Sequence, residues 1–480
     1  MDQVKRSFIT KFTQELQENN VAIFAGAGLS IPSGYLNWKE LLRPLAQEID
    51  IDIEKEHDLV SVAQYYANEN NRSDVNTTLI NEFSKNTIPT INHKILANLP
   101  ISTYWTTNYD SLIEDALNKA GKIVDAKYTI DQLSYTKLNR DAIVYKMHGD
   151  KNHPNSAILL KEDYETYSIN YGPFLTALQG DLTSKTFLFI GISFTDPNLD
   201  YILSRLRILH GKNQRTHYAF IKKISQDDCT PSEYEYLFRK QKLFINDLKR
   251  YHIKSLLIDK YEEITEILTI IEKNIYQNKI FISGSAHEYT PLQDPEAQKF
   301  ISELSSRLIE ENKTIVSGFG LGVGNLVISG ALEKIYMSKK QYQHDQLILR
   351  PFPFSSTPSI TDDLQELWKQ YRTDMIALTG ISIFIFGNKL GDTGEVVNAN
   401  GVYEEFLISK QNGNLIIPVG ATGGTSFKIW SEINSSFDEY YPNATSTFKT
   451  YFNELNDPQS NLVDTILNLI NEHKKTILAN

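Results

Sequence analysis

Short apolar runs alternate along the whole chain with longer stretches in which apolar residues recur at helical spacing. In the first half the runs of strand length are VAIFA, TYWTT, AIVYKM, TFLFIGIS, HYAFIKK and KSLLID. Amphipathic stretches such as WKELLRPLAQEI and LDYILSRLRIL lie between them. Continuous apolar strands separated by helices are typical of a parallel sheet that helices cover on both faces.

The same alternation begins again after the helix-like stretch YEEITEILTIIEKNIYQNK. The second series of strand-like runs is IFISGS, KTIVSGFG, LILRPFP, ISIFIFGNK and NLIIPVG. A chain of 480 residues is also longer than one hydrophobic core normally supports. We therefore predict an α/β protein with two Rossmann-like parallel-sheet domains, at residues 1–277 and 278–480.

Composition excludes several classes of partner and site. The formal net charge is -11 and the 48 basic residues are scattered, which argues against nucleic acid as a partner. The single cysteine, Cys229, excludes an internal disulfide and every thiolate-rich zinc module, so we expect no metal. The longest apolar runs have the length of strands and the first residues lack an apolar signal core, so we expect a cytoplasmic protein without a membrane span.

The first apolar strand ends in the small-residue turn GAGLS, which contains Gly26 and Gly28. A buried strand that delivers a glycine turn to the edge of a sheet allows backbone N–H groups to approach a phosphate. Turns of this kind also join strands to helices for purely geometric reasons. The turn by itself leaves both interpretations open.

Three more strands are followed by polar motifs. YWTTNYD places Asn108 and Asp110 after the second strand, VYKMHGD places His148 after the third, and all should lie on the same edge as the glycine turn. Asn108 has a structural alternative, as an Asx-type cap of the helix YDSLIEDALNKA. FTDPN predicts a helix start with Thr195 or Asp196 as the cap, so we interpret Asp196 as structural.

In this order the motifs resemble those of the sirtuin family over roughly residues 10–275. GAGLS is similar to the sirtuin phosphate loop, TTNYD to the Thr-Gln-Asn-x-Asp motif, HG to the catalytic His-Gly, and GISFTDPN to the Gly-x-Ser segment on the adenosine side of NAD. The resemblance implies that Asn108 contacts the nicotinamide ribose and positions the nucleophile, and that His148 acts as the base. The implied NAD-binding residues are Ala25, Gly26, Ala27, Gly28, Ser30, Thr107, Asn108, Asp110, Gly191 and Ser193.

The chain departs from the sirtuin deacylases at two points. Those enzymes follow the phosphate loop with an acidic-Phe-Arg element and carry a four-cysteine zinc module, whereas this loop continues as LSIPSGYLNWKELL and the chain has one cysteine. We therefore predict an NAD+ hydrolase, with NAD+ as substrate and nicotinamide and ADP-ribose as products. The alternatives are an NAD-dependent protein deacylase and a non-catalytic nucleotide-binding sensor.

The second half contains a strand, a loop with four glycines and an apolar helix in the stretch IVSGFGLGVGNLVISGAL. Such a loop favours a phosphate or nucleotide cradle over a flexible connection. This half resembles a SLOG domain, a nucleotide-sensing relative of the LOG hydrolases, and it lacks the Pro-Gly-Gly-x-Gly-Thr-x-x-Glu motif of those enzymes. The resemblance therefore implies a sensor.

A sirtuin-like domain followed by a SLOG domain is similar in architecture to effectors of the Thoeris antiphage system. The resemblance implies a homo-oligomer, a tetramer, which depletes NAD in an abortive infection after a TIR-domain protein has made a cyclic ADP-ribose isomer. Arg372 and Lys389 would face the pyrophosphate of this activator and Glu405 a ribose or base edge, although the neighbouring Glu404 leaves that assignment open by one position. The alternative for all of these side chains is a solvated surface charge. The implied effector-binding residues are Gly284, Ser285, Gly318, Phe319, Gly320, Leu321, Gly322, Gly324, Arg372, Lys389, Gly401 and Glu405.

Overall fold

The computed structural model describes residues 2–194, 196–211, 213–228, 230–338, 344–352 and 361–479. The chain divides into two compact units, Asp2–Glu272 and Lys273–Asn480. The division falls within the helix Glu262–Tyr276, and the boundary that we predicted at 277/278 lies just after the same helix.

The first unit is built on a sheet of seven strands in which every neighbouring pair is parallel, with the spatial order β3-β4-β2-β1-β5-β6-β7. The predicted parallel sheet is therefore confirmed, although the short strand β3, with its charged Asp125 and Lys127, was not predicted from the apolar pattern. The strands are β1 (Val21–Ala25), β2 (Thr103–Thr106), β3 (Val124–Lys127), β4 (Ala142–Lys146), β5 (Thr186–Ile190), β6 (His217–Lys222) and β7 (Ile253–Ile258).

Helices cover the sheet of the first unit, and three helices that lie between β1 and β2 along the chain form an additional cluster. That cluster, α3 to α5, has its own apolar core, and Tyr109 from the loop after β2 and Leu112 at the start of α7 extend into it. The helices are α1 (Gln3–Gln17), α2 (Ala27–Ser30), α3 (Trp38–Glu48), α4 (Leu59–Glu69), α5 (Arg72–Phe83), α6 (Ile91–Asn98), α7 (Leu112–Lys119), α8 (Lys161–Asn170), α9 (Gly172–Ser184), α10 (Pro197–His210), α11 (Pro231–Leu248) and α12 (Glu262–Tyr276).

The register of the sheet aligns the ends of its four central strands. Ala25 at the end of β1 pairs with Thr106 of β2 on one side and with Ile190 of β5 on the other. Thr106 in turn pairs with Lys146, the last residue of β4. The chain therefore leaves all four strands at one level, around the point where the strand order reverses, which is the usual ligand site of such sheets.

The second unit contains a five-stranded parallel sheet in the order β10-β9-β8-β11-β14 and a separate antiparallel pair, β12 and β13. The run ISIFIFGNK, which predicts one strand, is divided at Gly387, where φ is +100°. The strands are β8 (Lys279–Ser285), β9 (Thr314–Ser317), β10 (Leu347–Leu349), β11 (Ile381–Phe386), β12 (Asn388–Leu390), β13 (Val396–Asn398) and β14 (Leu415–Pro418).

Helices on both sides of this second sheet bury a core dominated by isoleucine, leucine and phenylalanine. The order in which β8 lies between β9 and β11 again places a reversal of strand order at the centre of the sheet. The helices are α13 (Asp294–Glu310), α14 (Gly324–Met337), α15 (Thr361–Ile376), α16 (Asn400–Gln411), α17 (Gly424–Ser435), α18 (Phe437–Tyr440), α19 (Ser446–Glu454) and α20 (Leu462–Ala479).

Candidate active site

A cavity of about 430 Å³ lies at the carboxyl ends of the central strands of the first unit. Of the residues predicted for the NAD site, all but one line this cavity; Ala25, which is fully buried at the end of β1, does not. The lining residues that were predicted are Gly26, Ala27, Gly28, Ser30, Thr107, Asn108, Asp110, His148, Gly191 and Ser193.

The glycines of the first turn are required by a contact between two loops. A Cβ atom on Gly26 would lie 2.5 Å from the carbonyl oxygen of Gly191, and a Cβ on Gly28 would lie 2.8 Å from the Gly191 Cα. The N–H groups of Gly26 and Gly28 donate to the carbonyl oxygens of Ile190 and Gly191, both at 2.9 Å. These two N–H groups are therefore engaged within the protein, and the glycines serve first to bring the loops after β1 and β5 together.

Asn108 is buried, and hydrogen bonds fix the orientation of its amide. Its Nδ2 donates to the carbonyl oxygen of Gly26 at 3.1 Å and lies 3.0 Å from the Ser30 hydroxyl. Because a backbone carbonyl can only accept, the amide nitrogen must face Gly26. The Asn108 Oδ1, which accepts no hydrogen bond from a described residue, is therefore the atom available for a ligand.

The turn after β2 is closed by Asp110 and not by Asn108. Asp110 Oδ1 accepts a hydrogen bond from the backbone N–H of Leu112 at 2.9 Å, at the start of α7. The Asx-type role considered for Asn108 thus falls to Asp110. The other carboxylate oxygen of Asp110, Oδ2, is buried and has no hydrogen-bond partner among the described residues.

A buried lysine that the sequence analysis did not single out holds this turn against β4. Lys146 Nζ donates to the carbonyl oxygens of Asp110 at 2.5 Å and Tyr109 at 3.2 Å. It also pairs with the carboxylates of Asp150 and of Glu114, the latter at 3.1 Å. Burial by itself would lower the pKa of Lys146, but the two carboxylates outweigh burial and raise it, so the ammonium remains charged.

His148 lies on the loop after β4, beside Asp196 from the start of α10. The ring of His148 is buried and packs edge-on against Tyr164, with the ring centroids 5.5 Å apart. Its Nε2 lies 3.0 Å from Oδ2 of Asp196, at an angle too oblique for a regular hydrogen bond. Asp196 does cap α10, as expected, but the interpretation that it is only structural is incomplete; Thr195, the other cap considered, lies outside the described residues.

The pKa of Asp196 lies below its ordinary value. Burial raises the pKa, but electrostatic attraction to the ring of His148, 3.0 Å away, and hydrogen bonds from the backbone N–H groups of Leu199 and Asn198 together outweigh burial. The cavity is therefore bordered by an ionised carboxylate at neutral pH.

Several aromatic residues that line the cavity were not predicted from the sequence. Trp38 begins α3, and Tyr35 precedes that helix in the stretch that departs from the sirtuin pattern. Tyr164 belongs to α8 and packs against His148. Their aromatic rings form part of the apolar wall, and no local motif distinguishes them from core residues.

In the second unit, the predicted glycine loop lies between β9 and α14 and presses against neighbouring backbone. A Cβ atom on Gly320 would lie 1.9 Å from the carbonyl oxygen of Gly284, and one on Gly322 would lie 2.1 Å from that of Ala286. The loop turns through left-handed conformations at Phe319, with φ of +60°, and at Gly322, with φ of +71°. Close packing thus accounts for these glycines, as it does for those of the first unit.

The predicted charged residues of the second unit are only partly brought together. Arg372 pairs with Glu404 at 2.8 Å and with Glu405 at 3.4 Å, and its guanidinium lies over the ring of Phe352, 4.9 Å from the centroid. A Cβ atom on Gly401 would lie 2.7 Å from Arg372 Nη2.

Glu405 and Glu404 differ in their surroundings, although both contact Arg372. Glu405 is buried and accepts a hydrogen bond from the Ser283 hydroxyl at 2.6 Å, and burial raises its pKa despite Arg372. Glu404 is exposed. Lys389 is exposed on β12, next to Asn388, whose carbonyl accepts from the Ser285 hydroxyl at 3.0 Å.

The described residues contain no group of three or more His, Cys, Asp and Glu side chains placed to hold a metal ion. None of the described helices is long and apolar enough to cross a membrane.

Comparison with protein families and curated proteins agrees with the division into two units. Residues 102–245 match the model of the SIR2-like domain, and residues 263–475 match the Sir2- and TIR-associating SLOG family. A protein named NAD(+) hydrolase ThsA from Bacillus cereus (strain MSX-D12) is 52% identical over 476 residues, which is 98% of either chain. Proteins of the same name from Acinetobacter baumannii (strain 532279) and Cytobacillus dafuensis are 48% and 46% identical, covering 94% and 97% of this chain and 95% of each relative.

Proposed function

The chain belongs to the family of NAD(+) hydrolases named ThsA, and we propose that the cavity at the carboxyl edge of its first sheet is where NAD is hydrolysed. The chain is accordingly an NAD glycohydrolase with NAD+ as substrate. The observation that carries the proposed location is that the loops after β1, β2, β4 and β5 meet at one cavity, which Asn108 and His148 both line.

The chemistry requires few protein groups. The bond between nicotinamide and the ribose C1′ breaks, its electron pair leaves with nicotinamide, and the ribose becomes oxocarbenium-like before the oxygen of water bonds to C1′. In our proposal Oδ1 of Asn108 accepts a hydrogen bond from a ribose hydroxyl or from that water. His148 takes the proton that water loses and later releases it to solvent.

Carboxylates at the cavity suit the charge that develops in this reaction. Asp110 and Asp196 both line the cavity, and Oδ2 of Asp110 is buried without a hydrogen-bond donor. Fixed negative charge near a developing cation lowers the energy of the transition state most where water is excluded. We propose that Asp110 contributes this electrostatic stabilisation while its Oδ1 closes the turn.

The two alternative functions predict different fates for NAD. A deacylase releases nicotinamide only when an acylated lysine is supplied, and a non-catalytic sensor binds NAD without consuming it. The test is to incubate the full chain with NAD and to quantify nicotinamide and ADP-ribose by chromatography, with and without an acetyl-lysine peptide. We expect equal release in both samples, whereas release that depends on the peptide would overturn the proposal.

We further propose that the second unit senses a cyclic ADP-ribose isomer and thereby controls the hydrolase. The matching family is described as associating with Sir2 and TIR domains, which supports a TIR-domain protein as the source of the nucleotide. In this proposal the chain acts in the cytoplasm as a homotetramer of a Thoeris antiphage system, and NAD depletion ends infection together with the host cell. Arg372, Lys389 and Glu405 would bind the nucleotide alongside the glycine loop.

A further inference from the structure

We propose that Asp196 is a positioning residue that fixes the ring of His148 for proton transfer. The inference rests on the proposed role of His148 as the base and adds to it a group that the sequence indicates only as a helix cap. Asp196 itself would act through His148 and needs no contact with the reacting atoms.

The two oxygens of the Asp196 carboxylate have separate partners. Oδ1 accepts a hydrogen bond from the backbone N–H of Leu199 at 2.9 Å, which is the N-cap interaction of α10. Oδ2 lies 3.0 Å from Nε2 of His148. A cap requires only one side-chain oxygen, and serine, threonine or asparagine would supply it equally well. The second oxygen of the carboxylate is therefore accounted for only by the histidine.

Described residues on both sides of Asp196 along the chain are held in place by packing and by a proline. Phe194 adopts a φ of +61°, an unfavourable value for a bulky residue that persists only where the surroundings impose it. Its ring packs against Phe189 at 5.0 Å and Phe244 at 6.1 Å between centroids. Pro197 then begins α10 directly after the cap.

The contact selects which nitrogen of His148 carries the proton. A carboxylate only accepts, so Asp196 favours a proton on Nε2 and leaves the lone pair on Nδ1 to act as the base. None of the described residues forms a hydrogen bond with Nδ1. The N-terminus of α10 also stabilises the negative charge of Asp196. The oblique Nε2 contact would become linear with substrate bound, as catalytic hydrogen bonds commonly do.

The first test replaces the charge and keeps the cap. Asp196→Asn in the full chain should lower kcat at least tenfold, because an amide can donate to Nε2 and so favours the wrong tautomer. Asp196→Ser, which caps the helix and has no second oxygen, should show a comparable loss. Binding of ADP-ribose, measured by calorimetry, and the melting temperature should change little in both variants. The matched control is Asp200→Asn on the first turn of the same helix, with turnover expected to equal wild type.

The second test distinguishes positioning from a direct or structural role. In a His148→Ala background, Asp196→Asn should lower residual NAD hydrolysis less than about twofold, since the residue through which it acts is already absent. An equal fold-loss in both backgrounds, or wild-type kcat in Asp196→Asn and Asp196→Ser, would overturn the inference while leaving the proposed base intact. Wild-type turnover of His148→Ala would instead remove the base, and both proposals with it.

Discussion

Asn108 has both of its amide protons engaged by the protein, at Gly26 and Ser30, so the site offers a ligand an acceptor that cannot rotate away. These hydrogen bonds order the loop before substrate binds. A preorganised site lowers the activation barrier because its groups need no further ordering during the reaction. The same side chain thus ties the loop after β2 to the loop after β1, and in our proposal it also contributes to the chemistry.

The roles of Asn108 and His148 predict large kinetic effects without unfolding. Asn108→Ala and His148→Ala should each lower kcat for NAD hydrolysis on the order of a hundredfold or more, because each removes a group that acts in the transition state. The measurement is steady-state nicotinamide release, with circular dichroism as the control for folding. Near wild-type turnover of both variants would mean that the reaction takes place elsewhere.

The contact between the loops after β1 and β5 predicts that alanine at two glycines of the first unit will change its stability by different amounts. Gly191→Ala would place a Cβ atom 2.3 Å from the Leu29 nitrogen at a φ of +66°, and should destabilise the unit by roughly 2–4 kcal/mol. Gly180→Ala in α9, where nothing lies within 4 Å of the added Cβ, should be neutral or stabilising by up to about 1 kcal/mol. Urea denaturation of both variants measures the difference, and equal stabilities would contradict the loop contact.

For individual residues, the sequence indicates those that follow strands. It does not indicate those whose role depends on how separate elements pack together. That Asn108 and His148 line one cavity was predictable, because each closely follows an apolar run and parallel strands bring such positions to one edge. The helix start at Asp196 is equally visible, but its contact with His148 depends on how α10 lies against the loop after β4. Tyr164 and Lys146 could not be singled out from the sequence either, because an aromatic residue in a helix and a lysine at a strand end usually have a purely structural role.

Among the elements, β4 and the turn after β2 are joined by the buried ammonium of Lys146. Its partners are two backbone carbonyls and the carboxylates of Asp150 and Glu114. The positive charge of the lysine is what allows these carboxyl groups to be buried beside the cavity. Burial still raises the pKa of Glu114, so the folded state holds this proton more tightly than the unfolded state does, and that contribution to stability is lost as pH rises.

The contacts of Lys146 act as a clamp between β4 and the turn after β2, and they predict a large loss of stability when Lys146 is replaced. Lys146→Met should lower the free energy of unfolding by about 3–5 kcal/mol, since it leaves buried carboxylates without a counter-charge. The matched control is Lys223→Met, which breaks an exposed pair with Asp259 and should cost less than about 1 kcal/mol. Chemical denaturation at pH 7 tests the pair of variants, and a small loss for Lys146→Met would show that the clamp is not needed.

The elements themselves were largely predictable where strands are apolar and buried on both faces. β1, β5 and β11 show the expected continuous apolar runs, and the prediction of two parallel sheets is confirmed. β3 was missed because its charged residues pair with one another, with Lys127 and Asp125 at 2.8 Å. The β12–β13 pair was missed because its strands are short and partly exposed, so neither shows an apolar pattern.

For the whole molecule, the homotetramer that we propose predicts a measurable mass in solution. Light scattering on the full chain should give four times the monomer mass of 54.9 kDa, and the distribution should shift when a cyclic ADP-ribose isomer is added. A monomer with and without the nucleotide would contradict this part of the proposal. The chain should also lose its response to the nucleotide when residues from about 280 onward are deleted.

In our proposal the first unit is a hydrolase whose activity is controlled by a nucleotide bound to the second unit. A ligand can shift such an equilibrium only by binding the active state more tightly, so removing its contacts must remove activation and leave the catalytic groups intact. Arg372 is the side chain to change, because it contacts Glu404, Glu405 and Phe352, and the ring of Phe352 lies against Gly318 of the glycine loop. Arg372→Ala and His148→Ala therefore separate sensing from chemistry.

The most direct measurement is the rate of NAD loss by the wild type and these two variants, over a range of concentrations of a cyclic ADP-ribose isomer. We expect that the nucleotide activates the wild type, that Arg372→Ala keeps its basal rate without activation, and that His148→Ala stays about a hundredfold or more below the wild type at every concentration. Activation of Arg372→Ala at the same nucleotide concentration as the wild type, or hydrolysis by His148→Ala at the wild-type rate, would contradict this expectation.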